Sequence, residues 1–230
     1  MAKRKLQRFA ENATFRHFFQ PAWEELQAGF PLKGIWRKEY FRNEHPLIIE
    51  VGCGKGEYTV SLARKYADAN FIGLDKKGAR MWRGAKTTDE ISLPNVAFIR
   101  VLAEHLPDIF APEEVDEIWI TFPEPQPNSP RTKKRFTSPQ FLERYREILN
   151  PKGIIHLKTD NDLFFKYTLD VINAGKHELL YRTEDLYGNA NDPEVMDVLP
   201  VQTHYEKIWL EQGLKIKYLK FRLQPGEPRS

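Results

Sequence analysis

The sequence has 230 residues, of which 41% are hydrophobic, and its 35 Lys and Arg residues nearly balance its 32 Asp and Glu residues. A hydrophobic fraction of this size excludes an intrinsically disordered chain. Cys53, the only cysteine, excludes an internal disulfide framework and a Cys-based zinc site. The six histidines show no paired metal-ligand spacing, so we expect no metal. The charged start is followed by no apolar stretch of signal-peptide or membrane-span length, which predicts a cytoplasmic protein without a membrane partner.

Positive charge is concentrated in three segments, although the net charge is only +3. Segments 1–8, 131–135 and 215–222 each hold four Lys or Arg residues and no acid. Such clusters neutralise nucleic-acid phosphates in some proteins and only solvate a surface in others. The total charge therefore does not indicate a nucleic-acid partner. Whether these segments bind nucleic acid depends on where the fold places them.

Strand-like and helix-like segments alternate along the chain from Pro46 onward. Short apolar or alternating runs predict six strands: 47–51, 70–75, 96–102, 117–122, 154–159 and 215–223. Amphipathic segments predict a helix after the first strand and another between the fourth and fifth strands, capped by Thr137 or Ser138. A further helix is predicted over 163–174.

This alternation indicates an α/β fold. Strand, helix and strand at such spacing form βαβ units, which build a mainly parallel sheet with helices on both faces. Residues 1–45 are aromatic and basic and show no strand signal. We therefore expect an N-terminal extension over 1–45, laid on a single domain over 46–230.

The first predicted strand leads into a glycine-rich loop, Glu50-Val51-Gly52-Cys53-Gly54-Lys55-Gly56. Ligands of open α/β sheets bind at the carboxyl ends of the strands, and glycines let a ligand approach the backbone closely. Asp75 ends the second strand, where a carboxylate can accept hydrogen bonds from a ribose. The sequence thus predicts a nucleotide-like ligand at this loop.

Two ligand classes and a purely structural turn fit this loop. A dinucleotide pyrophosphate is normally bound by G-x-G-x-x-G, but position 57 is Glu. Glu50 would repel a pyrophosphate, whereas it suits the cationic S-adenosylmethionine, which the sequence therefore favours. A structural turn alone requires neither three glycines nor two acids.

A proline-rich loop follows the fourth predicted strand at the same edge of the sheet. It reads Thr121-Phe122-Pro123-Glu124-Pro125-Gln126-Pro127, and the basic segment 131–135 comes shortly after it. Prolines restrict the backbone and hold Glu124 in a preset place. The sequence predicts a fixed carboxylate beside a basic segment, near the site of the methyl donor.

Four short motifs lie at or after the predicted strand ends: Phe122 to Pro127, Arg135 to Thr137, Lys158 to Asp160, and Thr203 to Glu206. They resemble motifs of the bacterial tRNA (guanine-N7)-methyltransferases. The first two resemble that family's F-P-D-P-W-P motif and the R-L-T that closes its basic segment. The last two resemble its acid after the fifth strand and its T-K-F/Y-E motif. The resemblance covers about residues 46–223, including the glycine loop.

Several positions differ from the family pattern. Glu124 stands in place of an Asp, and Gln126 in place of a Trp. Asn128 occupies the position of a common substrate-binding Lys, and Arg131 or Lys133 would then supply that contact.

The resemblance implies a single-domain class I S-adenosylmethionine-dependent methyltransferase with a Rossmann-like, mainly parallel, seven-stranded sheet. It implies methyl transfer to N7 of guanine 46, in the variable loop of tRNA, by a monomer or a homodimer. The family's adenine-binding acid aligns with Leu102, and Glu104 or the backbone near Ala103 would take its place.

Residue roles follow from the implied reaction. Guanine N7 carries a lone pair, so methyl transfer requires no general base, which agrees with the absence of a Cys/His or Ser/His pair. We expect Glu124 to be the catalytic residue and to orient guanine by accepting hydrogen bonds from N1–H and N2–H. The residues expected to bind the donor are Glu50, Gly52, Gly54, Gly56 and Asp75. Besides Glu124, those expected to bind the substrate are Asn128, Arg131, Lys133, Asp160, Thr203, Tyr205 and Glu206.

Three alternatives stay open at this point. Asp160 could instead cap the following helix, a role for which Asn161 and Asp162 compete. A nicotinamide-dependent oxidoreductase is disfavoured by the glycine spacing. A catalytically inactive RNA-binding module is disfavoured by an intact set of acids: Glu50, Asp75, Glu124, Asp160 and Glu206.

Overall fold

The predicted strands lie in one eight-stranded sheet in the computed structural model, which describes residues 2–127 and 129–225. The strands are β1 Phe18–Phe19, β2 Leu47–Val51, β3 Asn70–Asp75, β4 Val96–Arg100, β5 Val115–Thr121, β6 Leu149–Thr159, β7 Glu178–Thr183 and β8 Lys217–Arg222. Their order is β1-β4-β3-β2-β5-β6-β8-β7. All pairs from β1 to β6 are parallel, and β8 is antiparallel to both β6 and β7.

Helices pack on both faces of this sheet. They are α1 Ala2–Asn12, α2 Trp23–Ala28, α3 Glu57–Lys65, α4 Gly78–Glu90, α5 Leu106–Ile109, α6 Pro139–Ile148, α7 Asp162–Ala174 and α8 His204–Glu211. Adjacent residues of β3 point to opposite faces, so Phe71 joins the core formed with α3 and α4 while Ile72 joins the core formed with α5, α6 and α7. Two apolar layers therefore hold the sheet between them.

The N-terminal residues contribute a strand that the sequence did not indicate. Phe18 of β1 lies opposite Phe98 of β4, which adds an eighth strand at the sheet edge. A π-helical segment, Trp36–Phe41, follows, and the fully buried Trp36 packs edge-on against Phe19 at 5.4 Å between ring centroids. The expected α/β class is confirmed, and the expected count of seven strands is one too low because a two-residue strand carries no alternating pattern.

The strand order reverses at β2. The chain moves outward from β2 through β3 to β4 and then returns to β5 on the other side of β2. In open α/β sheets, ligands bind in the crevice that such a reversal leaves at the carboxyl ends of the strands. The glycine loop after β2 and the proline-rich loop after β5 both border this crevice.

Candidate functional site

A cavity of about 440 Å³ opens at the carboxyl ends of β2 to β5. The glycine loop, the ends of β3 and β4, the proline-rich loop and the residue before α8 form its wall. The predicted site residues that line it are Glu50, Gly52, Gly54, Asp75, Glu124 and Thr203. The fold thus brings together residues that are up to about 150 positions apart in the sequence.

The glycine loop adopts a backbone that favours glycine. Gly54 has a φ of 57°, and a Cβ added there would meet no atom within 4 Å, so the backbone lies open at this point. Gly56, with a φ of 72°, precedes α3, and a Cβ there would lie 2.5 Å from the Phe98 ring. Gly54 therefore leaves room for a ligand, whereas Gly56 allows close packing of the loop and does not line the cavity.

Glu50 lies beneath the glycine loop with its carboxylate already bonded. One oxygen accepts hydrogen bonds from the Thr59 backbone N–H (2.9 Å) and hydroxyl, and the other accepts one from the Thr121 hydroxyl. Burial raises the pKa of Glu50 to about 7, although these hydrogen bonds oppose the shift. A cation bound in the cavity would favour the charged carboxylate, so the site is electrostatically suited to a positively charged ligand.

Asp75 joins the glycine loop to the loop after β3. Its two carboxylate oxygens accept hydrogen bonds from the backbone N–H groups of Gly54 (3.0 Å) and Lys77 (2.8 Å). The side chain is half-buried and lines the cavity. These two bonds hold the carboxylate in one orientation at the place where the second strand ends.

The proline-rich loop carries Glu124 on a constrained backbone. Phe122 and Gln126 have φ values of 48° and 45°, in the left-handed region that such residues rarely adopt. The Glu124 side chain is 70% exposed, lies 3.7 Å from Lys77 Nζ and accepts a hydrogen bond from Gln126 Nε2 at 3.1 Å. The loop thus presents a carboxylate at the cavity rim with contacts only to long side chains among the described residues.

Arg135 holds the backbone of this loop in place through hydrogen bonds. Its guanidinium donates hydrogen bonds to the carbonyl oxygens of Pro125 (2.9 Å) and Gln126 (3.1 Å). The guanidinium carbon also lies 4.2 Å from the centroid of the Tyr167 ring. Arg135 is buried, whereas Arg131 and Lys133 of the same basic segment are exposed. One member of the segment therefore holds the backbone of the loop, and its neighbours remain accessible to solvent.

A buried ion pair supports the wall that carries Thr203. Lys158 Nζ lies 2.7 Å from Glu206 Oε1, and both side chains are 0% exposed. The same oxygen accepts a hydrogen bond from the Tyr187 hydroxyl at 2.8 Å. Glu206 also closes a capping box, since its other oxygen accepts the Thr203 N–H while Thr203 Oγ1 accepts the Glu206 N–H. Glu206 therefore lies in the interior behind Thr203 and does not line the cavity.

The remaining predicted substrate residues lie outside the cavity wall or outside the described residues. Asp160 is half-buried after β6, and neither it nor Arg131 nor Lys133 lines the cavity. The cap of α7 is Asn161, whose side-chain oxygen accepts the Phe164 N–H at 2.8 Å, so the capping role considered for Asp160 is wrong. Asn128 and the side chain of Tyr205 lie outside the described residues.

Sequence reasoning missed two aromatic residues of the wall. Tyr58 is buried in the wall, and its hydroxyl has no hydrogen-bond partner among the described residues. Phe136 also lines the cavity, and a Cβ on Gly52 would lie 2.7 Å from its ring. Phe136 lies in the motif Arg135 to Thr137, so that motif was a usable signal, whereas nothing in the sequence marks the Tyr58 hydroxyl.

Residues 2–127 and 129–225 contain no group of three or more His, Cys, Asp or Glu side chains arranged to hold a metal ion. Within those same ranges, no helix has the length and apolar character needed to cross a membrane.

The sheet order, its reversal at β2 and the glycine loop define a class I S-adenosylmethionine-dependent methyltransferase fold. The 16S rRNA methyltransferase KamB shares it with a TM-score of 0.62 over 84% of this chain and 95% of that chain, at 16% identity. An S-adenosylmethionine-dependent methyltransferase from Aquifex aeolicus gives a TM-score of 0.53 over 87% and 98%, at 12% identity. At such identities the similarity establishes the fold alone.

Closer relatives identify the family. Residues 44–219 match a family described as putative methyltransferases. A tRNA (guanine-N(7)-)-methyltransferase of Christiangramia forsetii is 50% identical over 97% of this chain and 99% of its own length. Another, from Bacteroides thetaiotaomicron, is 46% identical over 97% and 87%. The chain belongs to the family of tRNA (guanine-N7)-methyltransferases, as its motifs predicted.

Proposed function

We propose that this protein transfers the methyl group of S-adenosylmethionine to N7 of guanine 46, in the variable loop of tRNA. The observation that carries the proposal is the combination of Glu50 and Asp75 in the cavity wall with Glu124 at its rim. The relatives from Christiangramia forsetii and Bacteroides thetaiotaomicron, which match nearly the whole chain, are named tRNA (guanine-N(7)-)-methyltransferases. A tRNA substrate also supports the expected cytoplasmic location.

The residues of the inner wall fit S-adenosylmethionine, which supplies a methyl group activated by a sulfonium. Asp75 would accept hydrogen bonds from the ribose hydroxyls, because its carboxylate is held at the wall by two backbone N–H groups. Glu50 contributes a buried carboxylate whose charged form a cationic ligand would favour. The free Tyr58 hydroxyl in the same wall offers a hydrogen bond that no described residue takes up.

Glu124 is the residue suited to orient guanine. N1–H and N2–H of guanine form two parallel donors, which a single carboxylate accepts in a bidentate arrangement. Glu124 is exposed at the rim, and its present partners are the flexible side chains of Lys77 and Gln126, which can yield to a base. Asp160, Thr203 and Tyr205 would assist from the ends of β6 and α8, and Glu206 would act by holding Thr203.

Catalysis then comes from alignment and charge. The lone pair of N7 needs no deprotonation, so the protein must place N7, the methyl carbon and the sulfur in line. Methylation leaves the guanine ring cationic, and a carboxylate such as Glu124 stabilises the charge as it develops. Arg131 and Lys133, both exposed beside the loop, would contact RNA phosphates.

A labelling experiment tests this proposal. The protein is incubated with methyl-labelled S-adenosylmethionine and an unmodified tRNA transcript, and in parallel with a transcript whose variable-loop guanine is replaced by adenine. We expect label only in the first transcript. Equal labelling of both would contradict position 46, and no labelling of either, with normal donor binding, would contradict the tRNA substrate.

A further inference from the structure

Helix α1 packs along helix α4, whose Arg80 lines the cavity. The Asn12 side-chain amide donates a hydrogen bond to the carbonyl oxygen of Gly78 at 2.9 Å. Glu11 accepts one from Trp82 Nε1 at 2.7 Å and pairs with Lys86 Nζ at 2.9 Å. These contacts join the C-terminal half of α1 to the first residue and the middle of α4. Helix α1 therefore has a defined place on the domain.

Two arginines at this junction are held over aromatic rings. The guanidinium carbon of Arg8 lies 4.6 Å from the centroid of the Trp82 ring, and that of Arg100 lies 5.0 Å from the centroid of Phe9. Both arginines are exposed, and neither forms an ion pair with an acid in the part of the chain that the structure describes. Stacking fixes the plane of a guanidinium and leaves its N–H edge available to an anion.

Glycine at position 78 permits the close packing of this junction. A Cβ on Gly78 would lie 2.8 Å from Arg100 Cδ and 3.0 Å from Phe9 Cε1. Because any other residue would displace one of these side chains, the packing of α1, α4 and the end of β4 forms one unit. The two stacked arginines consequently have set positions relative to the sheet.

The junction continues to the mouth of the cavity. Arg100 ends β4 and is paired in register with Asp75, which lines the cavity. Lys76 and Arg80 are exposed and also line it. Glu11 of α1 pairs with Lys86 and Glu90 of α4 pairs with Arg83, while Asp89 lies in the last turn of α4, at the opposite end of the helix from Gly78. Positive charge thus extends from α1 to the mouth of the cavity, where the carboxylate of Asp75 already accepts hydrogen bonds from two backbone N–H groups.

We propose that Arg8 and Arg100 bind phosphates of the tRNA whose guanine enters the cavity, which makes α1 part of the RNA-binding surface. This inference rests on the proposed function. An RNA backbone is favoured over a small anion because the cations follow a junction of two helices toward the cavity and do not converge on one point. A polyanion with regularly spaced phosphates matches such a row.

The salt dependence of tRNA binding tests the proposal. Each phosphate contact contributes about one to the slope of the logarithm of affinity against the logarithm of salt concentration. We expect the double variant Arg8→Gln/Arg100→Gln to reduce the magnitude of this slope by about two and to leave the affinity for S-adenosylmethionine unchanged. The control Lys152→Gln/Lys176→Gln also removes two positive charges, but away from the cavity. Lys152 lies near the amino end of β6, and Lys176 follows the C-terminal end of α7. This control should leave the slope unchanged.

A second variant separates charge from packing. Arg8→Lys/Arg100→Lys keeps both charges without the planar guanidinium, so we expect it to retain the wild-type slope. An unchanged slope in the Gln variant, or an equal loss in the Lys variant, would overturn the proposal. A wild-type protein that binds no tRNA would instead contradict the proposed function, so the two failures are distinguishable.

Discussion

The inner wall and the rim of the cavity hold their carboxylates in opposite ways. On the inner wall, Glu50 and Asp75 receive hydrogen bonds from backbone and hydroxyl groups fixed by the sheet and α3. At the rim, Glu124 is 70% exposed and meets the long side chains of Lys77 and Gln126. The wall is preorganised before any ligand arrives, whereas the rim carboxylate can exchange its partners.

This difference suits a small donor and a large acceptor. A small ligand gains affinity from a wall that is already ordered, because less conformational freedom is lost on binding. A folded RNA brings many contacts of its own, so the rim needs a defined backbone but a free carboxylate. The rim has a defined backbone because Arg135 donates hydrogen bonds to the carbonyl oxygens of Pro125 and Gln126. The side chain of Glu124 itself is exposed to solvent.

The largest loss of stability is expected when the buried ion pair of Lys158 and Glu206, which lies behind Thr203, is broken. Lys158→Met leaves the Glu206 carboxylate in the interior without its cation, and we expect the free energy of unfolding to fall by about 3–5 kcal/mol. Urea denaturation measures this loss. Lys158→Met/Glu206→Gln removes both charges and should recover a large part of it; a single variant as stable as the wild type would show that the pair does not support this wall.

The inner wall should also show a pH dependence that the rim does not. Because burial raises the pKa of Glu50 from 4.5 to about 7, the folded protein keeps a proton that the unfolded chain has already released. The unliganded protein should therefore lose stability as pH rises between these values, on the order of 3 kcal/mol in total.

The variant Glu50→Gln isolates this contribution. The amide cannot ionise, so the difference in stability between wild type and variant should change across the same pH range and level off above it. Denaturation at several pH values measures that difference. A constant difference would contradict a raised pKa for Glu50.

At the rim, Glu124→Ala should separate methyl transfer from donor binding. Loss of a bidentate, charge-assisted pair of hydrogen bonds should lower kcat/KM for tRNA about 100-fold. Donor affinity and melting temperature should stay at the wild-type values, because the side chain is exposed and lies outside the inner wall. Steady-state kinetics and donor titration measure the two quantities, and an equal loss of both would place Glu124 on the donor side.

The smallest effect is expected from Glu124→Asp. The carboxylate remains and only one methylene is lost, so kcat/KM should change by no more than about tenfold, less than 1.4 kcal/mol. This variant is also the matched control for Glu124→Ala. A loss as large as that of the Ala variant would mean that the rim carboxylate is held as tightly as Glu50, and the contrast between the two regions would disappear.

The central part of the fold could be predicted because its signals are local. The apolar runs at 47–51 and 70–75 coincide with β2 and β3, and each ends at the loop that lines the cavity. Strand β7, Glu178–Thr183, was missed because it lies at the sheet edge and is half-exposed, so it shows no clear apolar pattern. Strand β6 starts at Leu149, five residues before the predicted strand over 154–159 begins.

The site could be predicted as a set of loops but not in its internal contacts. The motif Arg135 to Thr137 sets Arg135 apart from Arg131 but does not predict burial, yet Arg135 is buried against the proline-rich loop and Arg131 is exposed. Glu206 was expected beside guanine, and its position became clear only from the long-range pair with Lys158. Both outcomes depend on tertiary contacts between distant segments, which residue type and spacing do not encode.

The most direct measurement uses tRNA in which the variable-loop guanine is replaced by 7-deazaguanine. This base keeps the N1–H and N2–H donors that Glu124 would accept but carries a C–H in place of N7. We expect the modified tRNA to compete with normal tRNA for the protein and to accept no methyl group, as measured by mass spectrometry of the digested RNA. Methylation of the modified tRNA to the normal extent would contradict transfer to N7 of this guanine.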